Sequence, residues 1–470
     1  MHLKDGRTPS SRVAGTERAR DPRIVGDLVK SALVVGAGFA GLSAALHLAR
    51  AGIAVEVLEA TDHPGGRAQA WRSGEFHFDL GPTLVRMPDV LEKALGAERF
   101  AALELMRLEP GYEVRWPDGE RFSMHSDIAL SLAEFERIEP GVSPRALDYF
   151  TRVHGAYREA RAHIFEGEGT LRRFTEQFFR QPRLVEALTF QSLFLGTSPL
   201  RAPAISAYLP VVEATEGLWF APGGMASIVD GFVDAGRASG VVFSYGRRVE
   251  SIERSSSGAW RAATAEKSYE ADAVVVALDR EPAHALLGAR PPQIEAMRYG
   301  HSALCLYLGV RRRVDLPYHS IFLPSDPWRA YAQLDSGHLP DEPPIYAHNP
   351  VARDASAAPS DGSALFVLAP VPNLLALREE EIAAFRKRIF ERLEREVGEL
   401  REFIEVERMR GPAEWASELG LVHGAAFGPD RGLDRDAPGL AFAGSGTRPG
   451  SGVPMVVASG RLAAEHLLQQ

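Results

Sequence analysis

The stretch from Ala32 to Glu59 constrains the fold more than any other. A short apolar run, Ala32-Leu33-Val34-Val35, leads into Gly36-Ala37-Gly38-Phe39-Ala40-Gly41. Leu42 to Arg50 then has the composition of a helix ending near Gly52, and a second apolar run, Ile53 to Leu58, stops at Glu59. Strand, glycine turn, helix, strand, acid is the order of a dinucleotide-binding unit. The glycines let backbone amides approach a pyrophosphate, and the helix N-terminus faces its charge. Glu59 follows Gly36 at close to the spacing of about 20 residues at which a carboxylate meets an adenosine ribose.

Which dinucleotide is decided downstream. A second glycine pair stands in Pro64-Gly65-Gly66-Arg67. A nicotinamide enzyme needs only the first loop, whereas a flavin protein of the glutathione-reductase type often adds a Gly-Gly-Arg turn whose amides and guanidinium reach the same pyrophosphate. Phe76 to Asp79 looks like a strand entering a tight loop at Gly81-Pro82-Thr83, placed to run beside a flavin ring. Near the C-terminus, Leu440 to Gly444 forms another strand, followed by a glycine-rich turn and a helix from about Met455. Amides there suit the negative charge that builds on a reduced flavin.

The net charge of −9 and the absence of a basic block exclude nucleic acid as the expected partner. Cys305 is the only cysteine, so no intrachain disulfide forms, and its apolar surroundings predict a core residue in a reducing compartment. No run reads as a membrane-spanning helix, and no metal-ligand spacing is present. Residues 1–30 carry five arginines and two lysines against four acids and lack the apolar segment of a secretory signal, which predicts a flexible tail. A cytoplasmic protein is expected.

Between the two glycine-rich ends the texture changes. Leu91–Leu108 is predicted helical. Tyr112–Trp116 and Arg121–Met124 alternate apolar and polar around Pro117-Asp118-Gly119-Glu120, a β-hairpin. Helical patterns run from Leu130 to about Leu195, broken near Glu139-Pro140-Gly141. Two apolar stretches, Leu193–Leu200 and Ile205–Val212, suit a core, a hydrophobic channel or a membrane surface. Trp219–Met225 returns the chain to the first domain. It continues with a helix over 226–238, strands near 241–243, 248–254 and 260–264, and a buried strand over 272–278. Residues 340–363 are rich in Pro, Ala, Asp and Ser and read as a loop, and a charged helix spans 378–396. The expected division is a dinucleotide-binding domain from 31–90, 218–285 and 412–470, and a second domain from 91–217 and 286–411.

GAGFAGLSAALHLARAG (36–52), PGGRA (64–68), FDLGPT (78–83), WFAPGGM (219–225) and HGAAFG (423–428) together resemble the FAD-dependent amine oxidase superfamily. The segment from Ile345 to Leu374, IYAHNPVARDASAAPSDGSALFVLAPVPNL, and AGSGTRPGSGVPMVVASG (443–460) resemble its bacterial phytoene desaturase (CrtI-type) branch. The resemblance runs from about Ser31 to the C-terminus. It implies an α/β fold, with a Rossmann-like FAD-binding domain of glutathione-reductase type, an inserted α+β substrate domain and a helical part facing a membrane. It also implies non-covalent FAD, peripheral attachment to the inner face of the membrane, and desaturation of a long polyisoprenoid such as phytoene or dehydrosqualene. Cofactor contacts are expected at Gly36, Ala37, Gly38, Phe39, Ala40, Gly41, Glu59, Gly65, Gly66, Arg67, Gly81, Pro82, Thr83, Val249, Gly444, Val453, Pro454 and Met455.

Removing two hydrogens from an unactivated bond needs a hydride acceptor and a base. Glu213, on the apolar segment ahead of Trp219, is the candidate carboxylate, with a plain surface or salt-bridged acid as the alternative. Arg448 stands where related sequences usually carry histidine, as a cation near the flavin or a simple anion partner. A carotenoid isomerase or ketolase, an amine oxidase and a prenyl-binding chaperone are the competing readings. The C-terminal block offers neither the aromatic pair nor the lysine of amine oxidases, and both early glycine turns are intact, unlike those of such chaperones. No motif bears on oligomeric state.

Overall fold

The structure, a computed structural model, describes residues 29–158, 167–288, 299–428 and 437–470. Most of the expected N-terminal tail lies outside them.

Five short strands form one parallel sheet: β1 (Ser31–Val35), β2 (Ala54–Leu58), β3 (Val242–Ser244), β4 (Ala273–Val276) and β5 (Leu440–Phe442), in the order β5-β4-β1-β2-β3. β4 is buried at all four positions, as a parallel strand covered on both faces should be. One face is covered by α1 (Phe39–Arg50), α2 (Met225–Ala238) and α3 (Val453–Leu468), through Leu42, Leu46, Ile228, Phe232, Val457 and Ala464. The other face packs on an antiparallel sheet of Val249–Arg254, Trp260–Thr264 and Ser268–Ala271. The chain reaches this layer from three separate stretches, so its first and last helices are neighbours. Ser43 Oγ on α1 donates to the Val457 carbonyl on α3 at 2.8 Å. At Gly460 the helices touch backbone to backbone, and a Cβ there would stand 2.2 Å from the Ala40 carbonyl oxygen.

The second sheet has seven strands, in the order Ile404–Arg410, Ser302–Val310, Ser363–Val371, Ile345–His348, His319–Phe322, Tyr112–Arg115, Arg121–Met124. The expected hairpin forms its edge, and Tyr112–Arg115 pairs in parallel with His319–Phe322. Alternation along the strands separates two faces. Leu304, Leu306, Leu308, Leu365 and Val367 meet Phe385, Ile389 and Leu393 of the charged helix, observed at Glu379–Val397. Cys305, Tyr307, Tyr346 and Phe366 face the opposite way into a large apolar cluster. That cluster includes Phe135, Tyr149, Phe174 and Phe190 from the helices and turns of 128–158 and 167–195. Cys305 is buried, as its surroundings predict.

Two expectations are corrected. The helix expected over Leu91–Leu108 is two short helices, Pro88–Leu95 and Ala97–Ala101, parted at Gly96 (φ +85°), and Met106–Arg107 pairs as a strand with Trp219–Phe220. The residues expected as a loop over 340–363 contain the fully buried strand Ile345–His348. Only four residues long and hemmed by prolines on both sides, it shows too little periodicity to stand out. Of the two ambiguous apolar stretches, the second forms the helix Tyr208–Thr215, which buries Leu209, Val211 and Val212, while Ile205 just before it is partly exposed.

Candidate functional site

At the carboxyl ends of β1, β2, β4 and β5 the glycine turns converge. Gly36 adopts φ +103°, a conformation that β-carbon-bearing residues avoid, and its amide donates to the Leu58 carbonyl at 2.8 Å. Gly41 opens the helix so close to this turn that a Cβ would stand 1.9 Å from the Gly36 oxygen. Gly38 caps α1 with no side-chain partner, and a Cβ on it would meet nothing within 4 Å. The α1 N-terminus, with Phe39 and Ala40 in its first turn, therefore presents amides toward open space. Glu59 is held beside it: one oxygen accepts from the Ala37 amide at 2.7 Å, the other from the Thr61 amide and hydroxyl, both at 2.9 Å.

The second glycine pair lies on the first. The Gly65 amide donates to the Ala37 carbonyl at 2.9 Å, and a Cβ on Gly66 would stand 3.4 Å from the Gly38 Cα. Gly81 is equally close to Arg67, whose carbonyl oxygen a Cβ would approach to 2.0 Å. Pro82 and Thr83 continue that loop. The Gly246 and Arg247 amides bond the Thr61 and Glu59 carbonyls, which brings in the start of the strand that Val249 opens.

The late turn closes the group. Gly444 (φ +128°) donates to Ser459 Oγ at 2.9 Å, and α3 starts at Val453, Pro454 and Met455, capped by Gly452 without a side-chain bond. Arg67 connects the early and late turns. It donates to Ser445 Oγ at 3.0 Å and pairs with Asp279, which also accepts from Ser445 Oγ at 3.0 Å. Its Nε is buried and has no partner, leaving one cationic donor free for an anion. Two uncapped helix N-termini, a spare guanidinium donor and a ribose-type carboxylate at the carboxyl ends of one sheet fit FAD.

A second polar group lies deeper, between the Thr83 loop and the seven-stranded sheet. The Thr83 hydroxyl bonds the Tyr346 hydroxyl, which bonds His319 Nδ1 at 2.7 Å. His348 stands across the strand pair from His319, with ring centroids 5.4 Å apart. Burial pushes His319 well below the ordinary imidazole range, with His348 and Arg86 adding to the effect, and pushes His348 down to about 3. Both rings are therefore neutral. Nearby, Arg86 Nε donates to Glu213 Oε1 at 2.8 Å, while Gln191 Nε2 bonds Tyr112 Oη at 2.6 Å and Glu213 Oε2 at 3.3 Å. Glu213 is 1% exposed, so it is a buried ion-paired acid. Arg448 is exposed.

Asp79 lies in FDLGPT and Asp354 in the Ile345–Leu374 block, but neither block announces the bonds these acids make. Asp79 accepts from the Met225 amide at the start of α2 at 2.9 Å, and burial raises its carboxyl to about 7 against the pull of the Met225 and Ala226 amides. Asp354 accepts from Gly223 in the same turn at 2.9 Å. For Asp279, the available signal is an acid following a buried parallel strand. Tyr346 and His348 sit in the block resembling phytoene desaturases, whereas His319 and Arg86 have no signal beyond their type.

Residues 39–468 match the family described as flavin containing amine oxidoreductase. The chain is 34% identical to a zeta-carotene-forming phytoene desaturase of Myxococcus xanthus, covering 93% of each. It is 35% identical to a phytoene dehydrogenase of Streptomyces griseus, over 93% of this chain and 95% of that one. In fold it is similar to cyclohexylamine oxidase from Brevibacterium oxydans, with a TM-score of 0.58 at 16% identity over 94% of this chain and 99% of that one. The chain belongs to the flavin-containing amine oxidoreductase family, alongside the phytoene desaturases, and is a flavin oxidoreductase with FAD as its cofactor.

Proposed function

We propose that this protein is an FAD-dependent desaturase that introduces double bonds into a long polyisoprenoid such as phytoene or dehydrosqualene. The observation that carries the reading is the convergence of both glycine cradles at the carboxyl ends of one sheet, in a chain that matches named phytoene desaturases along almost its whole length.

In this reading 31–90, 218–285 and 412–470 hold FAD without a covalent bond, and 91–217 with 286–411 build the substrate site. Gly36, Ala37, Gly38, Phe39, Ala40 and Gly41 cradle the pyrophosphate, joined by Gly65, Gly66 and Arg67. Glu59 takes the ribose hydroxyls and Val249 flanks the adenosine end. Gly81, Pro82, Thr83, Gly444, Val453, Pro454 and Met455 line the flavin ring. Bound there, FAD supplies the hydride acceptor. The protein orients an apolar chain against it and excludes water. Arg86 neutralises Glu213, so this carboxylate serves to position its neighbours. Arg448, exposed on the late turn, is the cation of this reading near the flavin.

A polyisoprenoid partitions into bilayers, so the enzyme meets its substrate at a membrane, on the cytoplasmic face. Ile128, Leu130 and Leu147, exposed apolar side chains on neighbouring helices, support that contact. Among the described residues no helix is long and apolar enough to cross a membrane.

Expression in hosts that make either phytoene or dehydrosqualene, with chromatography of the pigments, tests the reading. One precursor should be converted to a coloured product. Consumption of neither, with conversion of an already coloured carotenoid, would move the enzyme to a later step. Liposome flotation tests the membrane contact.

A further inference from the structure

An interior that holds a hydrocarbon gains nothing from imidazoles. Burying an unpartnered polar atom costs about 1–3 kcal/mol. Yet His319 is 1% exposed and His348 2%, and the Nε2 atoms of both have no partner. The two rings lie on the face of the seven-stranded sheet that also carries Tyr346 and packs toward the Thr83 loop.

Desaturation releases a proton as well as a hydride, and the described carboxylates nearby are engaged. Glu213 is paired with Arg86. Asp79 caps α2, and Glu186 accepts from Trp116 Nε1 at 2.7 Å. The Cys305 thiol is pushed up to about 12 by burial. His319 differs from all of them. Its Nδ1 is fixed by Tyr346, Tyr346 is fixed by Thr83, and Thr83 belongs to the loop expected beside the flavin. When Nδ1–H donates to the Tyr346 oxygen and Tyr346 donates to Thr83, Nε2 is left with a bare lone pair.

We propose that His319 Nε2 is the base that accepts the proton lost by the substrate, with Tyr346 and Thr83 as positioning residues that set its tautomer. The inference rests on the desaturase reading. One C–H bond of the substrate breaks with its electron pair leaving as hydride to FAD, which is reduced. The C–H bond on the adjacent carbon breaks with its electrons forming the new C=C bond, and that proton bonds to His319 Nε2. Besides Tyr346, the titratable groups around the ring are His348, Arg86 and Tyr318. The Arg86 cation disfavours a retained proton, so the imidazole returns to its neutral form for the next cycle.

The test is single-turnover bleaching of the bound flavin, without oxygen, by phytoene in liposomes, using the full-length FAD-loaded protein. His319→Gln should bleach about 100-fold more slowly or worse, the range of a lost general base, with flavin content and half-saturating phytoene unchanged. Tyr346→Phe removes one hydroxyl and keeps the packing; it should bleach about tenfold more slowly, the worth of one hydrogen bond, and serves if His319→Gln does not load FAD. Bleaching at the parent rate in a loaded His319→Gln, or in Tyr346→Phe where that variant stands in, overturns the proposal alone. A parent protein whose flavin no polyisoprenoid bleaches overturns the desaturase reading, and the proposal with it.

Discussion

The two halves of the site are made of different material. The cofactor half is built from backbone. Gly36, Gly38, Gly41, Gly65 and Gly66 act by lacking a side chain, and the helix ends act through their amides. The inner half is built from side chains that meet only after folding: Thr83, Arg86, Gln191, Glu213, His319 and Tyr346 come from five separate stretches of chain. At Gly36 and Gly41 the backbone site tolerates no added atoms. Side-chain sites tolerate reshaping and are sensitive to which groups are ionised. That difference can be broken or sharpened by substitution.

Gly41→Ala should have the largest effect. It places a methyl group 1.9 Å from the Gly36 oxygen, a contact no rotamer relieves. Flavin absorbance of the purified protein should vanish, and little of the chain should melt cooperatively. Next comes Glu213→Ala, which leaves the partly buried Arg86 guanidinium, 16% exposed, without its counter-ion. The expected loss is about 3–5 kcal/mol in denaturant titration, with flavin retained by whatever remains folded.

Asp79→Asn tests ionisation. The folded carboxyl titrates near 7 against an ordinary value of 3.8, so the stability it contributes is complete below 3.8 and is lost as pH rises through about 7. Asparagine keeps an acceptor for the Met225 amide and does not titrate. The variant should gain on the parent across that window by about 2–4 kcal/mol, read as melting temperature against pH. His319 and His348 work in the opposite sense. Their folded values lie below 6.5, so their contribution is present above 6.5 and is lost as pH falls. The smallest effect belongs to Asp279→Asn. Arg67 is one-third exposed, so loss of that pair should cost 1 kcal/mol or less in stability. FAD affinity should change more than stability, because Arg67 is then free to turn toward the pyrophosphate.

The same contrast explains what the sequence made legible. Gly36 to Glu59, Gly65 to Arg67 and the Gly444 turn are local patterns, and a local pattern survives as a string of letters. So does the strand at Cys305, a continuous apolar run, and the helix Glu379–Val397, with its apolar face at helical spacing. His319 is one histidine among 14, and nothing in its neighbours announces that it will face His348 across a strand pair. Its role depends on register, which is set by a sheet drawing strands from 112–124 and 302–410. The four-residue strand that carries Tyr346 was hidden among prolines, so the partner of Thr83 was hidden with it. Glu213 stood out as a lone acid in an apolar stretch, but the partner that neutralises it, Arg86, is far away in the chain.

The close crossing of α1 and α3 at Gly460 has a consequence for biosynthesis. One flank of α1 is covered by a helix made long after it, through a bond between residues 414 positions apart. Until that later segment emerges from the ribosome, β5 is missing from the sheet and the flank of α1 that packs on α3 has no cover. Cofactor capture is thereby deferred until β5 and α3 are made, and termination ahead of them yields a product with an intact early nucleotide motif and nothing to close over the ligand.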